Sequence, residues 1–320
     1  MRLVFCGTPQ FAVPSLKHLL ARADFEVLGV ITQPDRPRGR GHEVSFSPVK
    51  EAALAAHLRV HQPEKIRALE VQELLQQLSP DVIVIIAYGQ IIPARLLSIP
   101  KHGWINLHAS LLPKYRGAAP IHWAIANGET RTGLTTMRID AGMDTGEILL
   151  QHELGIGPKE TAPELAARMA EAGAPLVEET LRGLAAGTIV PRPQNHAVAT
   201  LAPILKKEDG RIDWNRSAHE IYNRMRGFAS WPGAYTTFRG QTCHLWAEPV
   251  SSVLIPGQSL GEIGRAPGTL LREENAFFIL CGNSTVLRLQ TVKLEGRKPV
   301  NAIDFANGAH LKAWEGFGSG

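Results

Sequence analysis

Cysteine is scarce in this chain of 320 residues: Cys6, Cys243 and Cys281 make up all 3, without CxxC spacing. That excludes a disulfide framework and suggests no metal site, and the three thiols are expected to be buried. Long apolar runs are missing as well. The clearest, Val82 to Ala87, has the length of a strand, far short of the roughly 18 residues that would span a bilayer, so no membrane association is expected. No Walker loop occurs, and the first strand-turn-helix carries the single Gly7 where a dinucleotide fold would show GxGxxG, which weighs against ATP and NAD. A lone glycine there serves equally well as a turn residue or as a point of close ligand approach. Met1 leads straight into a strand-like segment without the basic, apolar, then small-residue order of a secretory signal, and the expected location is cytoplasmic. Blocks of one charge sign are also absent. The formal net charge of +4 permits an anionic partner without proving one.

What is present is a globular composition, with 44% hydrophobic and 20% charged residues and enough length for two domains. Arg2 to Cys6 reads as a strand, followed by Gly7 and by Thr8-Pro9, a cap and first-turn proline for a helix. Glu26 to Thr32 and Asp81 to Ala87 are further strands, and Ser47-Pro48 repeats the cap-then-proline start. This alternation predicts a parallel sheet covered by helices, an α/β domain. Strands are also expected at Trp104 to His108, Gly133 to Ile139 and Glu147 to Leu154, and Pro163 to Ala186 carries helical spacing. The reading closes a first domain over residues 1–187, places an extended proline-containing linker at 188–205, and leaves 206–320 as a second domain. There, Ser217 to Arg226 reads as a helix among short β-like runs, a pattern that suggests a small barrel or sandwich.

The densest polar cluster is Asn106-Leu-His108-Ala-Ser110-Leu111-Leu112-Pro113. Asn106 and His108 are two apart, so on a strand both leave the same face while Leu107 enters the opposite layer. An amide and an imidazole then stand side by side near the carboxyl end of a strand, where open α/β sheets bind ligands. The competing reading is structural, since Asn and His also occur in strands without function. A second cluster, Asp140-Ala-Gly142-Met-Asp144-Thr-Gly146, reads either as a turn or as the source of a carboxylate for His108. Amide, imidazole and carboxylate suit acyl or formyl transfer to an amine: the amide polarises a carbonyl, the base takes the amine proton, and the carboxylate orients the base. No GxSxG elbow surrounds Ser110, so direct attack by the acceptor amine is the simpler scheme.

Asn106 to Pro113, Arg116-Gly-Ala-Ala-Pro-Ile121 and Asp140 to Gly146 resemble the signatures of folate-dependent formyltransferases. The resemblance assigns the family's catalytic roles to Asn106, His108 and Asp144, and the folate carrier to Ser110, Leu111, Leu112 and Pro113. It implies 10-formyltetrahydrofolate as formyl donor and no metal. The opening Phe5 to Ala12, the insertion Thr32 to Gly41 with Ser47 to Lys50, and the stretches Leu205 to Trp214 and Arg226 to Tyr235 are similar to the branch of that family whose acceptor is methionyl initiator tRNA. That branch implies a Rossmann-like catalytic domain followed by an OB-like β-barrel, with tRNA bound by both; a monomer is the expected state. Arg36, Arg38 and Arg40, set between Pro and Gly, then become candidates for the phosphates of the acceptor stem, the alternative being a solvated turn. Lys206 and Lys207 offer a second positive patch, although Glu208, Asp209 and Asp213 interleave. Where family members often continue the arginine loop with two lysines, this chain has His42 and Glu43, so its grip is expected to be weaker or redistributed. A formyltransferase acting on a sugar-nucleotide or ribonucleotide amine would leave that loop and the second domain unexplained. A non-catalytic RNA-binding protein would not need Asn106, His108 and Asp144 together.

Overall fold

A computed structural model of the chain describes residues 1–38, 43–250, 265–312 and 314–318. The chain divides into two compact units, the first made of Met1–Ile121, Arg131–Ile156 and Glu164–Pro203, the second of His122–Thr130, Gly157–Pro163 and Ile204–Gly320. The first unit carries strands β1 (Arg2–Gly7), β2 (Glu26–Ile31), β3 (Arg36–Arg38), β4 (Glu43–Ser45), β5 (Val60–His61), β6 (Val82–Ile86), β7 (Trp104–His108), β8 (Arg131–Arg138) and β9 (Ile148–Gly155). Helices α1 (Val13–Leu20), α2 (Pro48–Ala55), α3 (Leu69–Leu78), α4 (Ala94–Leu97) and nearly all of α6 (Ala162–Ala186) accompany them, while α5 (Pro120–Ala126) begins in this unit and falls mostly in the second.

The main sheet runs β5-β2-β1-β6-β7-β8-β9, while β3 and β4 form a separate two-stranded ribbon. Strand β6, Val-Ile-Val-Ile-Ile, is buried throughout, as a β-branched run covered on both faces must be. From β5 to β7 all pairings are parallel, and this is the Rossmann-like part. The last two strands depart from the expected parallel sheet: β8 pairs antiparallel with β7, and β9 antiparallel with β8. A short loop joins β8 to β9, and only antiparallel neighbours can be joined that way.

Local signals succeeded unevenly. Ser47 caps α2 as expected, its hydroxyl accepting from Lys50 N–H at 3.1 Å with Pro48 in the first turn. Thr8 does not cap α1, which begins only at Val13 after a 3₁₀ turn; its hydroxyl instead accepts from Gln33 N–H at 3.4 Å. At Gly7 an added Cβ would meet Ala12, Phe5 and the Ile86 carbonyl at 3.0 Å, so close packing at the strand end already accounts for this glycine. Under β7, Leu107 is buried against α6, where a Cβ on Gly173 would come within 2.6 Å of Leu107 Cδ2. Gly173 costs the helix up to about 1 kcal/mol in propensity and lets it approach the back of the site strand.

An ion cluster ties α6 to α1. The Glu178 carboxylate takes His18 Nε2, Arg22 Nε at 3.0 Å and Arg182 Nη2 at 2.9 Å, and Arg182 continues to Asp24 at 3.0 Å. The His18 contact, reinforced by the two guanidinium groups, lowers the Glu178 pKa from 4.5 to about 2. A carboxylate with a depressed folded-state pKa stabilises the fold fully above its unfolded value, and that contribution is lost as pH falls through the folded value. Glu178→Gln is therefore expected to cost on the order of 2 kcal/mol at neutral pH, the partly exposed arginines limiting the gain. Urea unfolding of the two proteins should show that gap closing between pH 4.5 and about 2. A gap independent of pH would remove Glu178 ionisation as its cause.

The second unit holds β10 (Tyr235–Phe238), β11 (Gln241–Pro249), β12 (Leu270–Glu273), β13 (Ala276–Cys281), β14 (Thr285–Leu294), β15 (Val300–Asn301) and helices α7 (Ala218–Gly227) and α8 (Ala302–Ala309). Its antiparallel sheet runs β10-β11-β14-β13-β12 with β15 on β14, a small barrel-like β domain. One face packs α7 and α8 over a core that includes Trp214, Met225, Phe238, Ile279, Leu287, Phe305 and Phe317. Helix α8, capped by Asn301 accepting from Asp304 N–H at 2.8 Å, falls where only short β-like runs were expected. With eight residues including Gly308, it offers too little apolar periodicity to be read locally. All three cysteines are buried, and burial pushes the Cys243 and Cys281 thiols up to about 12, which leaves them unreactive at neutral pH.

Candidate active site

Strand β7 ends at His108, so Asn106 and His108 share one face as the two-residue period requires, and Ser110 lies beyond the strand. Asn106 is half-buried, and among the described residues its side-chain amide has no hydrogen-bond partner. His108 is 6% exposed. Its Nε2 lies 2.9 Å from the Tyr115 carbonyl, which can only accept, so Nε2 carries the proton and Nδ1 holds the free lone pair of the neutral ring. Nδ1 faces Asp144 Oδ2 at 3.7 Å. That separation is too long for a hydrogen bond but short enough for the carboxylate to favour a positive charge arriving on the ring. The Tyr115 carbonyl therefore orients the imidazole, and the carboxylate stands where an incoming proton would be stabilised.

Asp144 reaches His108 by an indirect route. Because β8 is antiparallel, with Ile105 opposite Arg138 and His108 opposite Thr135, the loop after β8 starts level with the beginning of β7. It must fold back along β7 to deliver the carboxylate. Asp140 shapes the turn, accepting from Gly142 N–H at 3.0 Å and Thr145 hydroxyl at 2.7 Å, as an Asx turn former does. Gly146 is required by proximity, since a Cβ there would lie 1.9 Å from the Arg138 carbonyl. Asp144 itself has φ +53°, a left-handed conformation that costs a non-glycine residue about 1–2 kcal/mol and that Asp tolerates better than most. Its Oδ2 accepts from Gly117 N–H at 2.8 Å, and its side chain is 18% exposed.

Sequence reasoning did not find Gln194, Tyr115 or the Gly117 amide. Gln194 and its neighbours lie in the stretch read as an extended connection, yet they pack with the first unit, and Gln194 is 6% exposed. Two of these partners act through backbone atoms, which every residue possesses, so no sequence signal marks them. The segment Ser110 to Pro113 is likewise more internal than its assignment to the folate carrier suggests. The Ser110 hydroxyl is buried and donates to the Lys114 carbonyl at 2.6 Å, and Leu112 packs with Met137 and Ile148. Thr135 hydroxyl donates to Ser110 O at 2.7 Å and accepts from Leu112 N–H at 3.1 Å. Leu111 and Pro113 remain half-buried, so a ligand would meet them rather than the Ser110 hydroxyl.

The parallel strand order reverses between β1 and β6, and open sheets bind ligands in the crevice beyond such a reversal. A cavity of about 940 Å³ opens there, lined among others by Thr8, Gln33, Arg36, Lys65, Arg67 and Gln90. Its wall is knit by glutamines: Gln33 donates to Tyr88 O at 2.9 Å, Gln90 to Gln33 Oε1 at 3.2 Å, and Gln62 to Gln33 O at 3.0 Å. The Asp35 carboxyl is held below its ordinary range by Lys50 and Gln62, so it stays an anion paired within the wall. Arg36 is exposed at this cavity. Arg38 lies on β3 and Arg40 falls outside the described residues. In the second unit Lys206 and Lys207 are exposed, and among the described residues neither joins an ion pair.

Fold and site define a class of one-carbon group transferases. Profiles described as formyl transferase and as formyl transferase, C-terminal domain match residues 1–181 and 204–310. The methionyl-tRNA formyltransferase of Solibacter usitatus is 54% identical over 321 residues, covering 100% of this chain and 99% of the relative. Those of Koribacter versatilis and Acidobacterium capsulatum are 54% and 52% identical, covering 96% and 97% of this chain and the same shares of the relatives. The chain belongs to the formyl transferase family, in its methionyl-tRNA formyltransferase branch. The fold recurs in solved structures at lower identity. The sugar 3N-formyltransferase WlaRD, crystallised with dTDP and 5-N-formyl-THF, superposes with TM-score 0.66 at 18% identity, covering 93% of this chain and 99% of its own. The N-formyltransferase of Helicobacter canadensis gives TM-score 0.67 at 20% identity, covering 90% and 98%.

Proposed function

We propose that this enzyme transfers the formyl group of 10-formyltetrahydrofolate to the α-amino group of methionyl initiator tRNA, preparing it for translation initiation in the cytoplasm. The observation that carries the reading is the meeting of Asn106, His108 and Asp144 on one face of β7, in a chain about half identical to methionyl-tRNA formyltransferases over its full length. The unpartnered Asn106 amide fits a donor that presents a carbonyl oxygen, and Leu111 and Pro113 supply apolar surface nearby on the chain. When bound, the folate carrier supplies an activated formyl carbonyl. Asn106 donates to the oxygen on which negative charge develops. His108 takes the amine proton at Nδ1, and the Asp144 carboxylate stabilises the imidazolium that results. Ser110 and Leu112 hold the turn that shapes the donor side.

For the acceptor, Arg36 at the rim of the cavity beyond β1 and β6 contacts phosphates together with Arg38, also on β3, and Arg40, which lies outside the described residues. Lys206 and Lys207 of the second domain, residues 206–320, contact phosphates as well, the stretch 188–205 following the catalytic domain 1–187 along the chain. One chain carries both domains, and a monomer is the expected working state. Incubation with charged initiator tRNA and 10-formyltetrahydrofolate should yield formyl-methionyl-tRNA, and no product would sink the reading. Replacing Arg36, Arg38 and Arg40 together by alanine should mainly weaken tRNA binding and make the slope of log affinity against log salt shallower by up to about 3, about one for each phosphate that an arginine no longer neutralises. An unchanged slope would count against phosphate contact by the loop.

A further inference from the structure

We infer that Gln194 is a positioning residue for Asp144, so that the segment after α6 is a working part of the active site. The inference rests on the proposed role of Asp144, and the experiment below keeps the two apart.

The Gln194 amide is saturated in a way few side chains could reproduce. Its Nε2 donates to two main-chain carbonyls of the acidic loop, Asp144 O at 2.9 Å and Gly146 O at 2.7 Å. Its Oε1 accepts from Arg116 Nε at 3.1 Å and Nη2 at 2.7 Å. Both donors and both lone pairs are engaged, and the side chain is 6% exposed, so water cannot replace a broken bond. The two carbonyls flank Thr145, immediately after the left-handed Asp144. Gln194 thus fixes the main chain of Asp144 while Gly117 N–H fixes its carboxylate, and together they set the 3.7 Å approach to His108 Nδ1.

Arg116 makes this anchor stronger. It is 7% exposed, and among the described residues its side-chain partners are Gln194 Oε1, at 3.1 and 2.7 Å, and His196 Nδ1 at 3.2 Å. A buried guanidinium on the amide oxygen polarises the amide and strengthens the two N–H bonds on its other side. The same stretch braces the histidine. Thr200 hydroxyl accepts from Tyr115 N–H at 2.8 Å, while Arg116 N–H donates to Thr200 O at 2.8 Å and Ala202 N–H to Arg116 O at 2.7 Å. Tyr115, whose carbonyl sets the His108 tautomer, sits at φ +59° within this ladder. Residues 194–202 therefore hold both partners of the imidazole.

Gln194→Glu separates positioning from support of the fold. The glutamate still satisfies Arg116 but turns an oxygen toward two carbonyls, so the acidic loop is released while the buried guanidinium stays paired. The expected result is a folded enzyme with kcat lowered about 10–100-fold and KM for both substrates within about threefold of wild type. Gln194→Asn, whose amide falls one methylene short, should lower kcat in the same way with KM unchanged, and it serves if the glutamate variant does not fold. Asp144→Asn is measured in the same series. Wild-type kcat in a folded Gln194 variant, with Asp144→Asn severely impaired, would overturn the inference. Normal turnover by Asp144→Asn would instead overturn the proposed role of Asp144 itself.

Discussion

Asn106→Ala is expected to fold normally and to lose about 100–1,000-fold in kcat, the usual cost of removing one donor to a developing oxyanion. Among the described residues the amide has no partner, so its removal leaves no buried group unsatisfied, and stability should change by no more than about 1 kcal/mol. This separates Asn106 from a structural asparagine, whose loss would appear in melting temperature before it appeared in turnover. Asn106→Asp sharpens the test: the volume is kept, but an acceptor replaces the donor, and turnover should fall at least as far. Single-turnover formylation at saturating donor reads the step directly. Near-normal turnover in a folded Asn106→Ala enzyme would remove it from the mechanism.

The second large effect is expected at His108 and Asp144. A general base contributes roughly 100–10,000-fold, so loss of His108 should be severe. In the proposed mechanism Asp144 acts only through the charge on the His108 ring, at 3.7 Å from Nδ1. Its removal should accordingly be severe with His108 present and add little once His108 is gone, giving a double variant far from multiplicative. Independent, fully multiplicative losses would show that the carboxylate serves something other than the imidazole. His108→Ala also removes the hydrogen bond between Nε2 and the Tyr115 carbonyl, so melting temperatures belong beside the rates.

Legibility in the sequence followed the range of the interactions. Strand β7 could be read from five residues, and with it the shared face of Asn106 and His108, because side-chain alternation is a property of the strand itself. The Ser47-Pro48 start was legible for the same reason. Thr8-Pro9 carried the same signal and failed, because Thr8 is claimed by Gln33 from a neighbouring loop. Asp144 was legible as a residue and not as a geometry, since its approach depends on the direction in which β8 joins the sheet.

The sequence by itself determined the main strands of the first unit, which side chains of β7 share a face, and the chemical set of amide, imidazole and carboxylate. Each of these is written in spacings of a few residues. Tertiary structure alone decided that β8 runs antiparallel, that the acidic loop folds back to bring Asp144 to His108, and that Gln194 and the Tyr115 and Gly117 backbone groups hold that pair. Apart from the Tyr115 contact, these join segments tens of residues apart, and two of them use main-chain atoms common to every residue. No local pattern can encode such contacts; they exist only once the sheet has set its order and the loops have packed across it.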